Sequence, residues 1–162
     1  MQERHELLAA MAVFGALNEP TLELITGLAE PVTVASGEHF FLEGDKSHDM
    51  YVLQSGQVEV YKSWANEARV LGHMQAGDCF GEMALIDLFP RSASVVAVTD
   101  CEALKIPPGV LQAIYQADRD QFTLLQMNMS RELSRRMRRL DELLFRALIG
   151  ESLPDTSFSQ LQ

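Results

Sequence analysis

The feature that most restricts the fold is a change of hydrophobic period near Pro31 and its reversal near Pro107. Between these prolines run short segments rich in Val, Tyr, Phe and Leu. Glycine-centred turns separate them at Ser36-Gly37-Glu38, Glu43-Gly44-Asp45, Ser55-Gly56-Gln57 and Ala76-Gly77-Asp78. Many short strands with evenly spaced turn signals close into a small barrel or jelly roll. Tyr51, Leu53, Val58 and Val60 alternate around Ser55-Gly56 and predict a hairpin there. Residues 69–74 and 95–98 are expected to form a second strand pair, and residues 103–106 a last strand.

Both flanks carry helical spacing instead. Leu7, Leu8, Met11 and Phe14 recur at three and four residues, and Leu22, Leu24, Ile25 and Leu28 follow Asn18-Glu19-Pro20. Two short helices are therefore expected within residues 1–30. From Asp118 to Ile149 no glycine or proline interrupts the pattern, which predicts a long helix of roughly 45 Å. Gly150 falls where a helix cap belongs, and the polar ESLPDTSFSQLQ beyond it reads as a flexible tail. The organisation is thus helices over 1–30, a β-roll over 31–117, a long helix over 118–149 and a tail over 150–162.

Composition removes several classes of function. With 162 residues, 47% of them hydrophobic, the chain is one globular domain. No stretch approaches the roughly 20 uncharged apolar residues a bilayer span needs. The opening MQERHELLAAMAVFG has charges on both sides of its apolar run, unlike a secretory signal. Two cysteines, Cys79 and Cys101, are too few for a disulfide framework or a four-thiolate cluster, so a reducing cytoplasm is the expected location. Thirteen basic against 23 acidic side chains give a net charge of −10, which repels polyanions and disfavours non-specific nucleic-acid binding.

The chemistry concentrates in residues 80–95, FGEMALIDLFPRSASV. Gly81 permits a tight turn out of a strand, and Glu82-Met83-Ala84-Leu85 favour a helical turn whose free amides attract an anion. Pro90 ends that turn. Arg91 follows with a planar fork of donors suited to phosphate oxygens, Ser92 adds a hydroxyl, and Ala93 is small enough to let a ligand approach the backbone. A carboxylate at Glu82 beside a phosphate site is repulsive unless it has its own partner, and a sugar hydroxyl supplies one. The alternative is that Glu82 and Arg91 pair with each other across the turn.

This stretch closely resembles the phosphate-binding cassette of the cyclic nucleotide-binding domain family, found in catabolite-activator-type regulators, protein kinase A regulatory subunits and nucleotide-gated channels. The Phe-Gly-Glu-Met-Ala-Leu opening and Pro-Arg-Ser-Ala-Ser close both match, and the likeness extends over residues 6–149. The resemblance implies a mainly β fold with flanking helices, a double-stranded β-helix or jelly roll followed by a long C-terminal helix. It implies that Glu82 binds the ribose 2′-hydroxyl, that Arg91 binds the cyclic phosphate, and that the amides of Gly81, Met83, Ala84, Ser92 and Ala93 line the pocket. In the family, alanine after the arginine accompanies adenine and threonine accompanies guanine. Ser92 lies between them, and catabolite-activator-type proteins with serine here respond to cAMP, so cAMP is favoured over cGMP.

On the long helix, Met137, Leu140, Leu144, Ala147 and Leu148 fall within about 60° of Leu133, an apolar stripe whose 4-3-4-3 spacing resembles a coiled-coil seam. Phe122, Leu125 and Met129 prolong it toward the roll, and a homodimer through this helix is expected. Six of the thirteen basic residues lie in RELSRRMRRLDELLFR, a segment of net charge +3 against −13 for the rest. Most of these arginines point away from the stripe as a solvated face. Arg136 sits on the stripe's edge and, where the family's helix covers the base, is placed to stack on or hydrogen-bond the purine, with Met137 beside it.

His39, Glu43, His48 and His73 are scattered, with none of the His-x-His spacing of a cupin-type metal enzyme, and no nucleophile elbow is present. Trp64 is expected as a loop anchor. The expectation is a non-enzymatic sensor module with no metal and no cofactor beyond the nucleotide itself. Catabolite-activator-type proteins carry a helix-turn-helix after the long helix; the chain as given is expected to make no DNA contact by that route. It is either a regulator acting through a partner or the sensory portion of a transcription regulator.

Overall fold

The computed structural model describes residues 2–150 except residue 66. The expected tail therefore lies outside the described residues, apart from Gly150. Helix α1 (Gln2–Ala10), a 3-10 turn (Ala12–Phe14) and α2 (Glu19–Leu28) form the N-terminal layer. The Asn18 side chain starts α2 by accepting from the Thr21 amide at 3.0 Å, with Pro20 in the first turn, where its missing N–H costs nothing.

Eight strands follow: β1 (Glu30–Val34), β2 (His39–Phe41), β3 (Met50–Ser55), β4 (Gln57–Trp64), β5 (Glu67–Gln75), β6 (Cys79–Phe80), β7 (Ser94–Ala97) and β8 (Cys101–Ile106). A short helix, α3 (Glu82–Asp87), separates β6 from β7, and α4 (Gly109–Ala117) and α5 (Arg119–Leu148) end the chain. The strands pair antiparallel in two four-stranded sheets, ordered β1-β8-β3-β6 and β2-β7-β4-β5. This is the expected jelly roll with flanking helices and a long C-terminal helix.

The hairpin expected at Ser55-Gly56 does not form. Strand β3 pairs with β8 and β6, whereas β4 pairs with β5 and β7, so the chain crosses from one sheet to the other at Gly56. Alternation could not distinguish the two outcomes, because a strand turning back and a strand crossing over both keep Leu53 and Val58 facing one interior. Gly56 has φ +91°, and a Cβ there would meet the Asp100 carbonyl oxygen at 2.5 Å and Cys101 Sγ at 2.6 Å. The corner requires glycine.

The strands at 69–74 and 95–98 exist as β5 and β7 but do not pair with each other. Both flank β4, with Val60 opposite Gly72 on one side and Val95 on the other. The true hairpin is β4–β5, and Trp64, the last residue of β4, is 86% exposed and so is no anchor among the described residues.

Two cores result. Leu53, Val58, Phe80, Val95 and Ala103 fill the space between the sheets, and Leu8, Phe14, Ile25, Ile114 and Leu125 pack the helices against the outer face of the first sheet. The apolar seam of α5 divides accordingly. Leu125 and Met129 belong to the chain's own core, with Phe122 packed against it, while Met137, Leu140, Leu144 and Leu148 are exposed. Among the described residues no helix is long and apolar enough to cross a membrane.

Candidate functional site

All eight residues singled out in the sequence, Gly81, Glu82, Met83, Ala84, Arg91, Ser92, Ala93 and Arg136, line one cavity of about 330 Å³. That is the size range of small-molecule sites. Strand β6 delivers Phe80 to the inter-sheet core and the chain then turns at Gly81, whose φ of +80° starts α3. A Cβ on Gly81 would lie 2.6 Å from Arg91 Nη1 and 2.9 Å from the Asp49 carbonyl oxygen, so the glycine lets the guanidinium pass beneath the turn.

Arg91 is 3% exposed. Its Nε donates to Ser47 Oγ at 3.0 Å, Nη1 to the Gly81 carbonyl at 3.1 Å and Nη2 to the Asp49 carbonyl at 2.7 Å, and its Cζ lies 3.9 Å over the Phe41 ring. Three of the five guanidinium N–H groups are thereby occupied, leaving one on each terminal nitrogen for a ligand. The backbone is equally fixed: the Arg91 amide donates to the Asp45 carbonyl and the Gly44 amide to the Arg91 carbonyl, both at 2.9 Å. Burial draws the Arg91 pKa down, opposed by Tyr51, Asp49, Asp45 and Glu82. A desolvated cation held by neutral carbonyls and a ring face gains much from a bound anion.

Glu82, the first residue of α3, is also 3% exposed. It does not pair with Arg91. Its partner is Arg136 Nη1, which reaches across from α5. The expected position of Arg136 at the site is found, but with its guanidinium on the carboxylate. Met137 is exposed and is not among the cavity residues. Beneath this pair, burial pushes the Cys79 thiol pKa strongly up, Glu82 adds to the rise and Arg136 opposes it. The other helix arginines behave as a solvated face: Arg131 donates to Asn128 Oδ1, Arg135 to Glu132 and Arg146 to Glu142, at 3.2, 3.0 and 2.9 Å.

Sequence reasoning missed two parts of the site. Phe41, Val60 and Met74 form its apolar wall with Val95, and their pattern outside residues 80–95 is that of any inward-facing strand residue. The segment 43–49, of which the sequence marked only the turn at 43–45, supplies Ser47 and the Asp45 and Asp49 carbonyls that help hold Arg91. The histidines are dispersed: His39 Nε2 meets the Tyr61 hydroxyl at 2.9 Å and His73 Nδ1 lies 3.9 Å from Glu59. Among the described residues no three His, Cys, Asp or Glu side chains group to hold a metal ion.

Comparison with known proteins accords with this geometry. The family model "Cyclic nucleotide-binding domain" matches residues 31–118. The CRP-like cAMP-activated global transcriptional regulator of Mycobacterium tuberculosis is 28% identical over 151 residues, 90% of this chain and 65% of that protein. The catabolite activator protein of Thermus thermophilus superposes with TM-score 0.73 at 29% identity, covering 82% of this chain and 61% of that one. The regulatory domain of Toxoplasma gondii PKA, solved with cAMP, gives TM-score 0.67 at 27% identity over 70% and 43% of the respective chains. The chain spans less than two thirds of each of these proteins. With its two-sheet jelly roll and the family model matching residues 31–118, the chain belongs to the cyclic nucleotide-binding domain family.

Proposed function

We propose that the cavity binds a cyclic nucleotide, cAMP in preference to cGMP, and that the domain is a non-catalytic sensor whose occupancy is read at α5. The observation that carries this reading is the buried Arg91, fixed by neutral oxygens with donors to spare, in one cavity with a buried Glu82 that does not neutralise it. The guanidinium and the amides of Ser92 and Ala93 take the cyclic phosphate, and Glu82 accepts from the ribose 2′-hydroxyl. Because Glu82 also holds Arg136, a ligand hydroxyl on that carboxylate alters the tie between cassette and α5. Such differential contact is what moves a two-state helix.

The exposed α5 stripe of Met137, Leu140, Leu144 and Leu148 joins two copies, so that both sites act on one seam. The wider role is that of a regulator. The likeness to the Mycobacterium transcriptional regulator supports a second reading, in which the domain serves as the sensory portion of a transcription regulator. Side-by-side calorimetry with cAMP and cGMP tests the preference: cAMP binds more tightly, and equal or reversed affinities refute that choice of base.

A further inference from the structure

Phe89 stands at the cavity without being buried in it. Phe89 lines the cavity yet is 69% exposed, so it borders both the cavity and water. The preceding Leu88 is 62% exposed and adopts φ +57°, a left-handed backbone that a branched residue rarely takes. Two consecutive large apolar side chains are thus presented to water from a strained corner, an arrangement that needs a covering partner. The corner is tethered on both sides. Before it, α3 ends at Asp87, whose Oδ1 accepts from the Phe89 amide at 3.0 Å; after it, Pro90 leads into Arg91, whose amide is bonded to Asp45. Between these ties stand Leu88 and the Phe89 side chain.

We propose that Phe89 is a ligand-contacting residue, an aromatic flap whose ring swings inward over the bound nucleotide about its own side-chain torsions. This rests on the cyclic nucleotide reading of the cavity. The ring buries its exposed face on the ligand, gains the stacking or edge contact that aromatic groups make, and shields the phosphate from water, which strengthens the Arg91 contacts. On this view Phe89 and Arg136 close the cavity from opposite neighbours, the cassette and α5, and the flap acts chiefly on dissociation.

The test uses the whole chain with cAMP. In a Trp64→Phe background, which removes the single tryptophan from an exposed strand end, Phe89→Trp places a reporter at the mouth. Its emission is expected to shift on titration, saturating at the calorimetric affinity. Phe89→Ala is expected to raise Kd on the order of tenfold, mainly through faster release, with the melting temperature unchanged because the ring is exposed. Emission from the Phe89→Trp reporter that ignores bound nucleotide, or a Phe89→Ala affinity within twofold of the parent, overturns the flap alone. Absence of binding by the parent chain overturns the nucleotide reading and the flap with it.

Discussion

Arg91 combines two demands in one side chain. Its three donated hydrogen bonds brace Gly81, Ser47 and Asp49, and the residue lines the cavity with two N–H groups not used by these bonds. The order Gly, Glu, small residues, Arg, Ser, Ala was legible because each type has a chemical reason to stand there. What held the arginine was not, since Ser47 and Asp49 lie more than forty positions earlier and contact it only through the fold. The partner of Glu82 was likewise hidden, because it comes from α5, and the register of a helix against a pocket is decided by packing. Gly56 gives a sharp prediction at this scale. Gly56→Ala forces a Cβ onto the Asp100 carbonyl at a positive φ, and a loss of about 3 kcal/mol in chemical denaturation is expected. A loss below about 0.5 kcal/mol would show that the crossing between sheets does not depend on this residue.

Among the elements, α5 does the most varied work. Its first half is fastened to the body: Asn128 Nδ2 donates to the Gly15 carbonyl and Gln121 Oε1 accepts from the Asn18 amide, both at 2.8 Å, and Leu125 and Met129 are fully covered. Its middle carries Arg136 to the cassette, and its last turns leave the apolar stripe open. The 3.6-residue period made the helix and its stripe legible, but one period runs through both halves, so no sequence signal marks where the chain's own core stops covering it. Burying Leu140 and Leu144 against a second copy contributes about 1.5–3 kcal/mol for each side chain. The double variant Leu140→Glu, Leu144→Glu is therefore expected to sediment as a monomer where the parent is a dimer. A parent that is monomeric at tens of micromolar, or a variant that still dimerises, contradicts pairing through α5.

At the scale of the whole molecule, two sheets share one interior, and the cavity opens where the second sheet, the cassette and α5 meet. The fold class was legible because strand lengths, glycine turns and two flanking helical periods leave few other ways to bury the apolar faces. The pairing inside it was not, because a crossing and a hairpin bury the same alternate residues and differ only in long-range contacts. The net charge of −10 makes the surface repel anions, so an anionic ligand must be captured by local donors rather than drawn by the general field. Calorimetric titration of the purified chain with cAMP, set beside Arg91→Ala, tests that capture directly. A ligand of about 22 heavy atoms at roughly 0.3 kcal/mol each gives a Kd on the order of ten micromolar, and loss of the charged donors weakens it about tenfold to a hundredfold. Absence of heat from the parent at hundreds of micromolar nucleotide, or an Arg91→Ala variant that stays folded and binds as tightly as the parent, contradicts the account.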